Sequence, residues 1–394
     1  DGGLTAQTAD LTSGTLGVAD FATAASKITA GAVAGQLANG PVVLEAAKTL
    51  TVTKGFNATT GGNLTLQAGE RVTVSDAIAT AGAITLKTTA TGGAVTTTAN
   101  VTAGGALTIT GTGGTHALSG TLAGSALAIT GNVAIASGLT LTLAPTAGTS
   151  DIASVLGGAG SLAKAGGGTL TLAAANTYAG ATTVRGGMLK IGTAGGLNPA
   201  TRLVVDGGRF DLGGRALTVD GVALAGNGAI DNGSLTSTGP FDLRAGTVAA
   251  VLAGAVGLDK TTAGTVTLSG DNTYTGTTSI DGGTLALGSA KALDGGGAIR
   301  FGGGTLQFSA QNTVDYAARF GTLTGQAVRL DTNGQDVTLG SALGSAIGGL
   351  TKLGDGTLTL TAASAYIGAT TVAGGTLRIG AGGGLDPATR LVVD

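Results

Sequence analysis

The sequence has 394 residues, of which 76 are glycine, 3% are aromatic and 11% are charged. A net charge of −2 without a basic cluster argues against a nucleic-acid partner, because a phosphate backbone requires clustered Lys and Arg. The absence of cysteine excludes disulfide bonds and cysteine-based metal sites, and no run of about 18 to 20 strongly apolar residues predicts a transmembrane helix.

The first element predicted along the chain is a short helix. It lies within the stretch from Phe21 to Gly40, and its apolar face would carry Ile28, Val33 and Leu37. An Asn-Gly pair at the end of this stretch supplies the stop signal. The remainder of the first 40 residues is the least regular part of the sequence.

From residue 42 onward, the alternation of apolar and polar residues predicts short β-strands. Apolar triplets begin at Leu64, Ile84, Leu107 and Leu127, a recurrence of about 20 residues. Strands this short, with few large side chains, cannot fill a sandwich core, but stacked coils pair every backbone group at a spacing of about 4.8 Å. The predicted fold is all-β: an elongated, right-handed, single-stranded parallel β-helix, or β-solenoid.

A longer repeat follows the part of the sequence in which apolar triplets recur about every 20 residues. We therefore divide the sequence into residues 1–150, with coils of about 20 residues, and residues 151–394. The second part holds three copies of one pattern, at 160–192, 257–288 and 349–380. We interpret both parts as one continuous solenoid with two styles of sequence.

The last residues, Gly384 to Asp394, copy Gly196 to Asp206 almost letter for letter. The earlier copy continues into a further coil, whereas the sequence ends at Asp394. We expect the chain to be truncated within a repeat and to belong to a longer protein.

Each copy of the pattern contains the same residues in the same order. They are Lys at 164, 260 and 352; Gly-Thr-Leu/Val-Thr-Leu at 168–172, 264–268 and 356–360; Tyr at 178, 274 and 366; and Gly-Gly-x-Leu at 186–189, 282–285 and 374–377. Asn precedes the Tyr by two residues in the first two copies, and a Gly-x-Thr-Thr run follows the Tyr in the first and third.

This pattern resembles the passenger-associated repeat of autotransporters, the one-chain secreted proteins of Gram-negative bacteria. The third copy has Ser364 in place of the Asn, and we interpret the Thr spacing after Gly276 as shifted in the second copy. Both departures weaken any claim for a specific role of the Asn or the Thr, but not the assignment of the repeat. The stretch from Ile28 to Leu66 is similar to filamentous-haemagglutinin-type exoproteins.

These resemblances imply a right-handed β-helix that is exported across the outer membrane and is secreted or displayed on the cell surface. Both families are rich in adhesins, so the implied partners are a host-cell surface, extracellular matrix or glycan, or other copies of the rod. The autotransporter resemblance also implies an outer-membrane barrel on a C-terminal part beyond Asp394.

Candidate catalytic residues are few. His116 is the only histidine and has no acidic residue near it in sequence, so we expect a corner or outward-facing residue and no catalytic triad. Glu45 and Glu70 are the only glutamates and could act as a glycosidase pair if adjacent coils brought them together. We interpret them as solvated surface residues.

The repeated residues also do not form the spacing expected of a catalytic, metal-binding or ligand-binding site. The three lysines lie several coils apart, the Asp-Gly stretches around Asp294 and Asp355 predict turns, and the tyrosines predict packing or corner positions. The Thr-x-Thr pieces are too often interrupted to predict a regular flat binding face. We therefore predict no catalytic, cofactor-binding or metal-binding residue.

The sequence favours a secreted or surface-displayed passenger fragment that acts as an adhesin, an autoaggregation factor or a structural stalk, and not as an enzyme. One alternative is a β-helix protein that degrades polysaccharide or binds glycan. The other alternative is a passive spacer.

Overall fold

Short strands joined by glycine-rich turns make up most of this computed structural model, which describes residues 30–323 and 325–394. Within these ranges there are 41 strands, one α-helix and one 3₁₀ helix. The chain divides into two units at Thr201 and Arg202. The division of the sequence at residue 150 is one of sequence style and stays a prediction.

The elements of the first unit are α1 (Ala30–Leu37), β1 (Val42–Ala46), β2 (Thr49–Val52), β3 (Phe56–Ala58), β4 (Leu64–Ala68), β5 (Arg71–Val74), β6 (Ile78–Thr80), β7 (Ile84–Thr97), β8 (Val101–Ala103), β9 (Leu107–Gly113), β10 (His116–Leu118), β11 (Gly120–Gly124), β12 (Leu127–Thr130), β13 (Val133–Ile135), β14 (Thr140–Pro145), β15 (Thr149–Ile152), β16 (Leu156–Gly158), β17 (Ser161–Lys164), β18 (Thr169–Leu172), β19 (Thr182–Val184) and β20 (Met188–Ile191).

The elements of the second unit are β21 (Leu203–Asp206), β22 (Arg209–Val219), β23 (Val222–Ala225), β24 (Gly228–Ser237), β25 (Phe241–Leu243), β26 (Gly246–Val248), β27 (Val251–Ala253), β28 (Leu258–Lys260), β29 (Thr265–Leu268), β30 (Thr278–Ile280), β31 (Thr284–Leu287), β32 (Ile299–Phe301), β33 (Thr305–Gln307), the 3₁₀ helix (Ala317–Arg319), β34 (Phe320–Thr322), β35 (Val328–Asp331), β36 (Val337–Leu339), β37 (Leu350–Leu353), β38 (Thr357–Leu360), β39 (Thr370–Val372), β40 (Thr376–Ile379) and β41 (Leu391–Val393).

In the first unit, the strands pair in parallel with equivalent strands of neighbouring coils. The triplets that begin at Leu64, Ile84 and Leu107 stack in register, as the sequence predicts. Their first and third residues point inward and are buried, and the residue between them points outward. A ladder of apolar side chains therefore runs through the interior and takes the place of a layered core.

The helix α1 confirms the predicted helix for residues 30–37, and Ile28 lies outside the described residues. Val33 and Leu37 are buried, because this face of the helix packs on β1 and β3. The carbonyl of Leu37 also accepts a hydrogen bond from the Gly62 amide at 2.7 Å. The helix is thus joined to the strands by both apolar contact and a backbone hydrogen bond.

The second unit repeats this arrangement with larger side chains. Its strands again pair in parallel, in the orders β21-β23-β25-β28-β30-β32-β34, β22-β24-β26-β29-β31-β33-β35-β37-β39-β41 and β36-β38-β40. Phe210, Phe241 and Phe301 are fully buried and fill its interior. Each unit is a parallel β-solenoid, which confirms the predicted fold class. Its right-handedness stays a prediction.

Candidate functional site

The repeated lysines lie at the inner face of the solenoid. Lys164 ends β17, and strand alternation places it on the same face as Leu162, two residues earlier. Lys260 and Lys352 occupy the same place in β28 and β37, and all three side chains are 0% exposed. They therefore do not form a substrate-facing surface.

Each lysine joins the turn of its own coil to the turn of the next. The Lys164 Nζ donates hydrogen bonds to the carbonyls of Ala165 at 2.6 Å and Gly166 at 2.9 Å. It also donates to the carbonyl of Gly186, one coil further on, at 2.9 Å. We call this arrangement the lysine clamp.

The other two copies form the same clamp. Lys352 donates to the carbonyls of Gly354 at 2.6 Å and Gly374 at 3.0 Å. Lys260 donates to Gly282 at 2.9 Å and to a carbonyl in its own turn. Burial lowers the pKa of Lys164 to about 8, and it lowers the pKa of the other two lysines as well. The ring of carbonyl oxygens offsets part of this burial cost by supplying acceptors for the ammonium group.

The Gly-Gly pair of the pattern leaves room for the clamp. Its second glycine has a positive φ in every copy, namely +57° at Gly187, +60° at Gly283 and +61° at Gly375. A Cβ on Gly375 would lie 2.8 Å from the Lys352 Nζ, and a Cβ on Gly187 would lie 2.3 Å from the Gly168 carbonyl oxygen. Glycine is therefore needed both for its backbone conformation and for close packing of coils.

The Asn of the pattern spans three coils. The Asn176 Oδ1 accepts a hydrogen bond from the Leu156 amide of the preceding coil at 2.9 Å, and its Nδ2 donates to the Gly196 carbonyl of the following coil at 3.0 Å. Asn272 forms the equivalent pair with the Leu252 amide and the Ala292 carbonyl, both at 2.8 Å. In the first two copies the Asn therefore has a specific structural role, which the sequence alone did not establish.

Ser364 replaces the Asn in the third copy, although the backbone around it keeps the same pattern. The Ser364 amide donates to the Gly384 carbonyl, as Asn176 does to Gly196, and the Ala365 amide donates to the Leu343 carbonyl. A longer side chain at this position would therefore reach the Leu343 amide and the Gly384 carbonyl.

We expect Ser364→Asn to stabilise the second unit by about 1 kcal/mol, the usual net value of an internal hydrogen bond. Urea unfolding and hydrogen exchange of residues 337–366 would measure the gain. Ser364→Asp is the matched control, because it has the same shape but lacks the donor for Gly384. An equal gain from both substitutions would contradict the assignment.

The repeated tyrosines are buried and bonded to a threonine four residues later. The Tyr hydroxyl lies 2.6 to 2.8 Å from the Thr Oγ1 in the pairs Tyr178–Thr182, Tyr274–Thr278 and Tyr366–Thr370. Burial raises the pKa of Tyr274 to about 12 and shifts the other two in the same direction. The predicted packing role is confirmed, and Thr278 is in register, so the interpretation of a shifted second copy is wrong.

Tyr178→Phe is expected to lower the free energy of unfolding by about 1 to 2 kcal/mol, because it leaves the buried Thr182 hydroxyl without its partner. Adding Thr182→Val removes that stranded group and should recover most of the loss. Urea unfolding of the three variants measures both effects. If the double variant is less stable than Tyr178→Phe, the hydrogen bond is not the source of the change.

His116 is fully buried in β10, so the expectation of a corner or outward-facing residue is wrong. Its Nδ1 accepts a hydrogen bond from the Val95 amide at 2.9 Å, and its Nε2 lies 2.9 Å from the Thr130 carbonyl oxygen. Because a carbonyl can only accept, the partners place the proton on Nε2. Both ring nitrogens are occupied, so the imidazole is not free to act as a base.

The glutamates do not meet across adjacent coils. Glu45 stacks on Gln67, whereas Glu70 lies three residues beyond Gln67, in the turn before β5. Both side chains are exposed. The arrangement therefore does not assemble the paired carboxylates that a glycosidase needs.

The Asp-Gly stretches form turns, as predicted. Gly296, Gly354 and Gly356 all have positive φ values, from +67° to +86°. Within residues 30–323 and 325–394, no three His, Cys, Asp or Glu side chains come together as a metal site would require. These stretches therefore act as corners of the coil.

The first unit carries outward threonines in register. Thr65, Thr85 and Thr108 stack on one wall, and Ala128 follows them. A second line on another wall contains Thr51, Thr73 and Thr96. We call these the first and second threonine ladders. They form polar surfaces.

Two signals for the inward polar residues were present in the sequence. Lys164 shares strand parity with Leu162, and the Lys and Tyr recur together at a fixed offset in all three copies, with the Asn in the first two. A polar residue at an inward position of a repeat indicates a satisfied structural group. His116 shares strand parity with Leu118 in the same way, so this signal was present for the histidine as well, but its partners in the neighbouring coils could not be identified from the sequence.

Three segments, at residues 162–191, 258–287 and 350–379, match the family described as the passenger-associated-transport-repeat. The chain carries three passenger-associated transport repeats. Each matched segment begins on the strand that holds the clamp lysine and ends on the strand after the Gly-Gly pair. The lysine clamp and the Tyr–Thr pair are thus internal features of this repeat.

Curated proteins include one relative, the adhesin BmaC autotransporter of Brucella suis biovar 1 (strain 1330). It is 35% identical over 122 residues, which are 30% of this chain and 4% of that protein. The chain therefore matches only a small part of that relative's length. No solved structure matches the chain.

The repeats are autotransporter passenger repeats, which implies a secreted or surface location. In the part of the chain that the structure describes, no helix has the length and apolar character needed to cross a bilayer. The polar groups inside the repeats hold neighbouring coils together.

Proposed function

We propose that this chain is the adhesive, surface-displayed segment of an autotransporter passenger, binding a host-cell surface, its matrix or its glycans. The observation that carries the proposal is that the repeat's polar side chains form their hydrogen bonds inside the solenoid. Lys, Asn, Tyr and Thr all bind within the solenoid, which suits a rigid scaffold that presents its outer walls. The relative named as an adhesin supports the same role.

Binding in this proposal occurs along the walls, through many weak contacts. The threonine ladders repeat a hydroxyl and a methyl group at each coil, about 4.8 Å apart. Such a surface offers hydrogen bonds and small apolar contacts to an extended ligand such as a glycan chain. Repeated contacts of this kind give avidity without a deep pocket. The chain binds in this role and does not catalyse a reaction.

Oriented display on beads tests the proposal. Because the chain has no cysteine, Asp394→Cys gives a single attachment point. Coated beads are counted on cultured epithelial cells, on matrix-coated wells and on immobilised heparin and sialylated glycans. We expect at least a tenfold excess over beads coated with an unrelated protein of equal density.

Matched variants locate the binding wall. Thr65→Val, Thr85→Val and Thr108→Val together remove the first ladder's hydroxyls while keeping β-branched side chains. The same change at Thr51, Thr73 and Thr96 alters the second ladder. Loss of binding in one triple variant assigns the wall. Beads that bind none of the surfaces contradict the adhesive role and leave a spacer, and beads that only clump together indicate self-association instead.

A further inference from the structure

The sequence contains four Asn-Gly pairs, and in each of them the asparagine side chain is exposed. The asparagines are Asn39, Asn227, Asn232 and Asn333. Asparagine is a thermolabile residue, and a following glycine has no side chain to hinder its backbone nitrogen from attacking the Asn amide. Water reaches all four side chains, so exposure alone does not rank their reactivity.

Hydrogen bonds restrain the side-chain amide in three of the four pairs. The attack requires this amide to swing towards the backbone, so a hydrogen bond from its Nδ2 opposes the reaction. These bonds run from Asn39 to the Gly35 carbonyl at 3.2 Å, from Asn232 to the Asp211 carboxylate at 2.9 Å, and from Asn333 to the Phe308 carbonyl at 3.3 Å. Within residues 30–323 and 325–394, no group forms a hydrogen bond with the Asn227 side chain.

Asn227 also lies in the turn with the least side-chain bulk, since glycine flanks it on both sides. Gly226 and Asn227 have left-handed backbones, with φ values of +59° and +58°. Asn232 and Asn333 share this backbone conformation. The unrestrained amide and the second glycine are therefore what distinguish Asn227 from the other three.

We propose that Asn227 is a site of spontaneous chemical modification, at which water converts the asparagine into aspartate and isoaspartate. The Gly228 nitrogen attacks the Asn227 Cγ, and the new C–N bond closes a five-membered imide. The side-chain nitrogen leaves as ammonia, together with the proton of the Gly228 amide. Water then adds to either imide carbonyl and opens the ring. Opening at the main-chain carbonyl leaves isoaspartate, in which the backbone runs through the side-chain methylene.

Isoaspartate does not fit this corner of the second unit. The corner has only two residues between β23 and β24, and both strands are held in register, Ala225 with Asp206 and Gly228 with Gly246. A Cβ on Gly226 would lie 2.6 Å from the Asp206 Oδ1, so the corner packs closely on the preceding coil. An added backbone methylene must shift one of the strands. The coils around the corner therefore open as the protein ages, whatever ligand the outward walls bind.

Incubation of the full chain at pH 7.4 and 37 °C tests the proposal, with peptide mapping by mass spectrometry at intervals. The rate at each Asn-Gly pair is divided by the rate of the same pair in the chain unfolded in urea, which removes the effect of neighbouring residues. We expect this ratio to be about fivefold higher at Asn227 than at the other three pairs. A hydrogen bond of about 1 kcal/mol corresponds to this factor in rate.

Asn227→Gly is the matched variant, because glycine keeps the left-handed backbone and has no amide to lose. Hydrogen exchange of residues 203–248 should increase during incubation of the natural chain and stay constant in the variant. A ratio at any other pair that equals the ratio at Asn227 would overturn the proposed site. Complete conversion of Asn227 with unchanged hydrogen exchange would overturn the opening of the corner.

Discussion

Lys164→Met is expected to lower the free energy of unfolding by about 3 to 5 kcal/mol, the range seen when one member of a buried charged interaction is removed. Methionine fills a similar volume but donates no hydrogen bond. The carbonyls of Ala165, Gly166 and Gly186 would each lose a buried donor. Two of these lie in one coil and the third in the next, so the turns would separate.

Urea unfolding of the full chain gives the overall loss, and hydrogen exchange of residues 161–191 gives its location. Lys190→Met is the matched control, because Lys190 lies in β20 with an exposed side chain. The control should leave the unfolding midpoint unchanged. Equal effects of the two substitutions would show that the clamp contributes nothing beyond the charge of the chain.

Gly187→Ala is expected to cost about 3 to 4 kcal/mol, by adding steric overlap to the strain of a left-handed backbone. Its Cβ would lie 2.3 Å from the Gly168 oxygen and 2.6 Å from the Gly166 oxygen. The backbone cannot move away without loosening the turn that receives the Lys164 clamp. The same substitution in the other two repeats should behave alike.

A substitution at Gly148 distinguishes the cost of steric overlap from the cost of the left-handed backbone conformation. Its φ is +56°, almost the same as the +57° of Gly187, but a Cβ there would meet nothing within 4 Å. Gly148→Ala should therefore cost only the conformational part, about 1 kcal/mol. Thermal and urea unfolding of both variants measure the difference. Similar losses at the two positions would mean that close stacking of coils is not what requires glycine in the repeat.

The fold could be read from the sequence because the relevant contacts repeat at short range. The starts predicted at Leu64, Ile84, Leu107 and Leu127 are the starts of β4, β7, β9 and β12. In a solenoid each strand pairs with the equivalent strand of the next coil, so one spacing fixes both the strands and their register. The packing of the repeat tyrosines followed from the same regularity.

The hydrogen bonds of the buried polar side chains could not be predicted from the sequence in the same way. Lysine is seldom buried, so its residue type gives no reason to expect a structural role inside the solenoid, and only the strand parity of Lys164 with Leu162 indicates an inward position. The role of Asn176 depends on an amide of the preceding coil and a carbonyl of the following one. His116 depends on Val95 and Thr130 in the same way. Such partners are fixed by the stacking of particular turns, which composition does not reveal.

The placement of α1 has a consequence for how the first unit behaves in a crowded suspension of identical molecules. Bare strand edges recruit other strands and seed fibrous aggregates. Val33 and Leu37 lay an apolar helical face over β1 and β3, on the side where no further strand is paired within residues 30–323 and 325–394. A helix offers its own hydrogen bonds internally and gives an incoming strand nothing to copy. It thereby protects these two edges against runaway polymerisation.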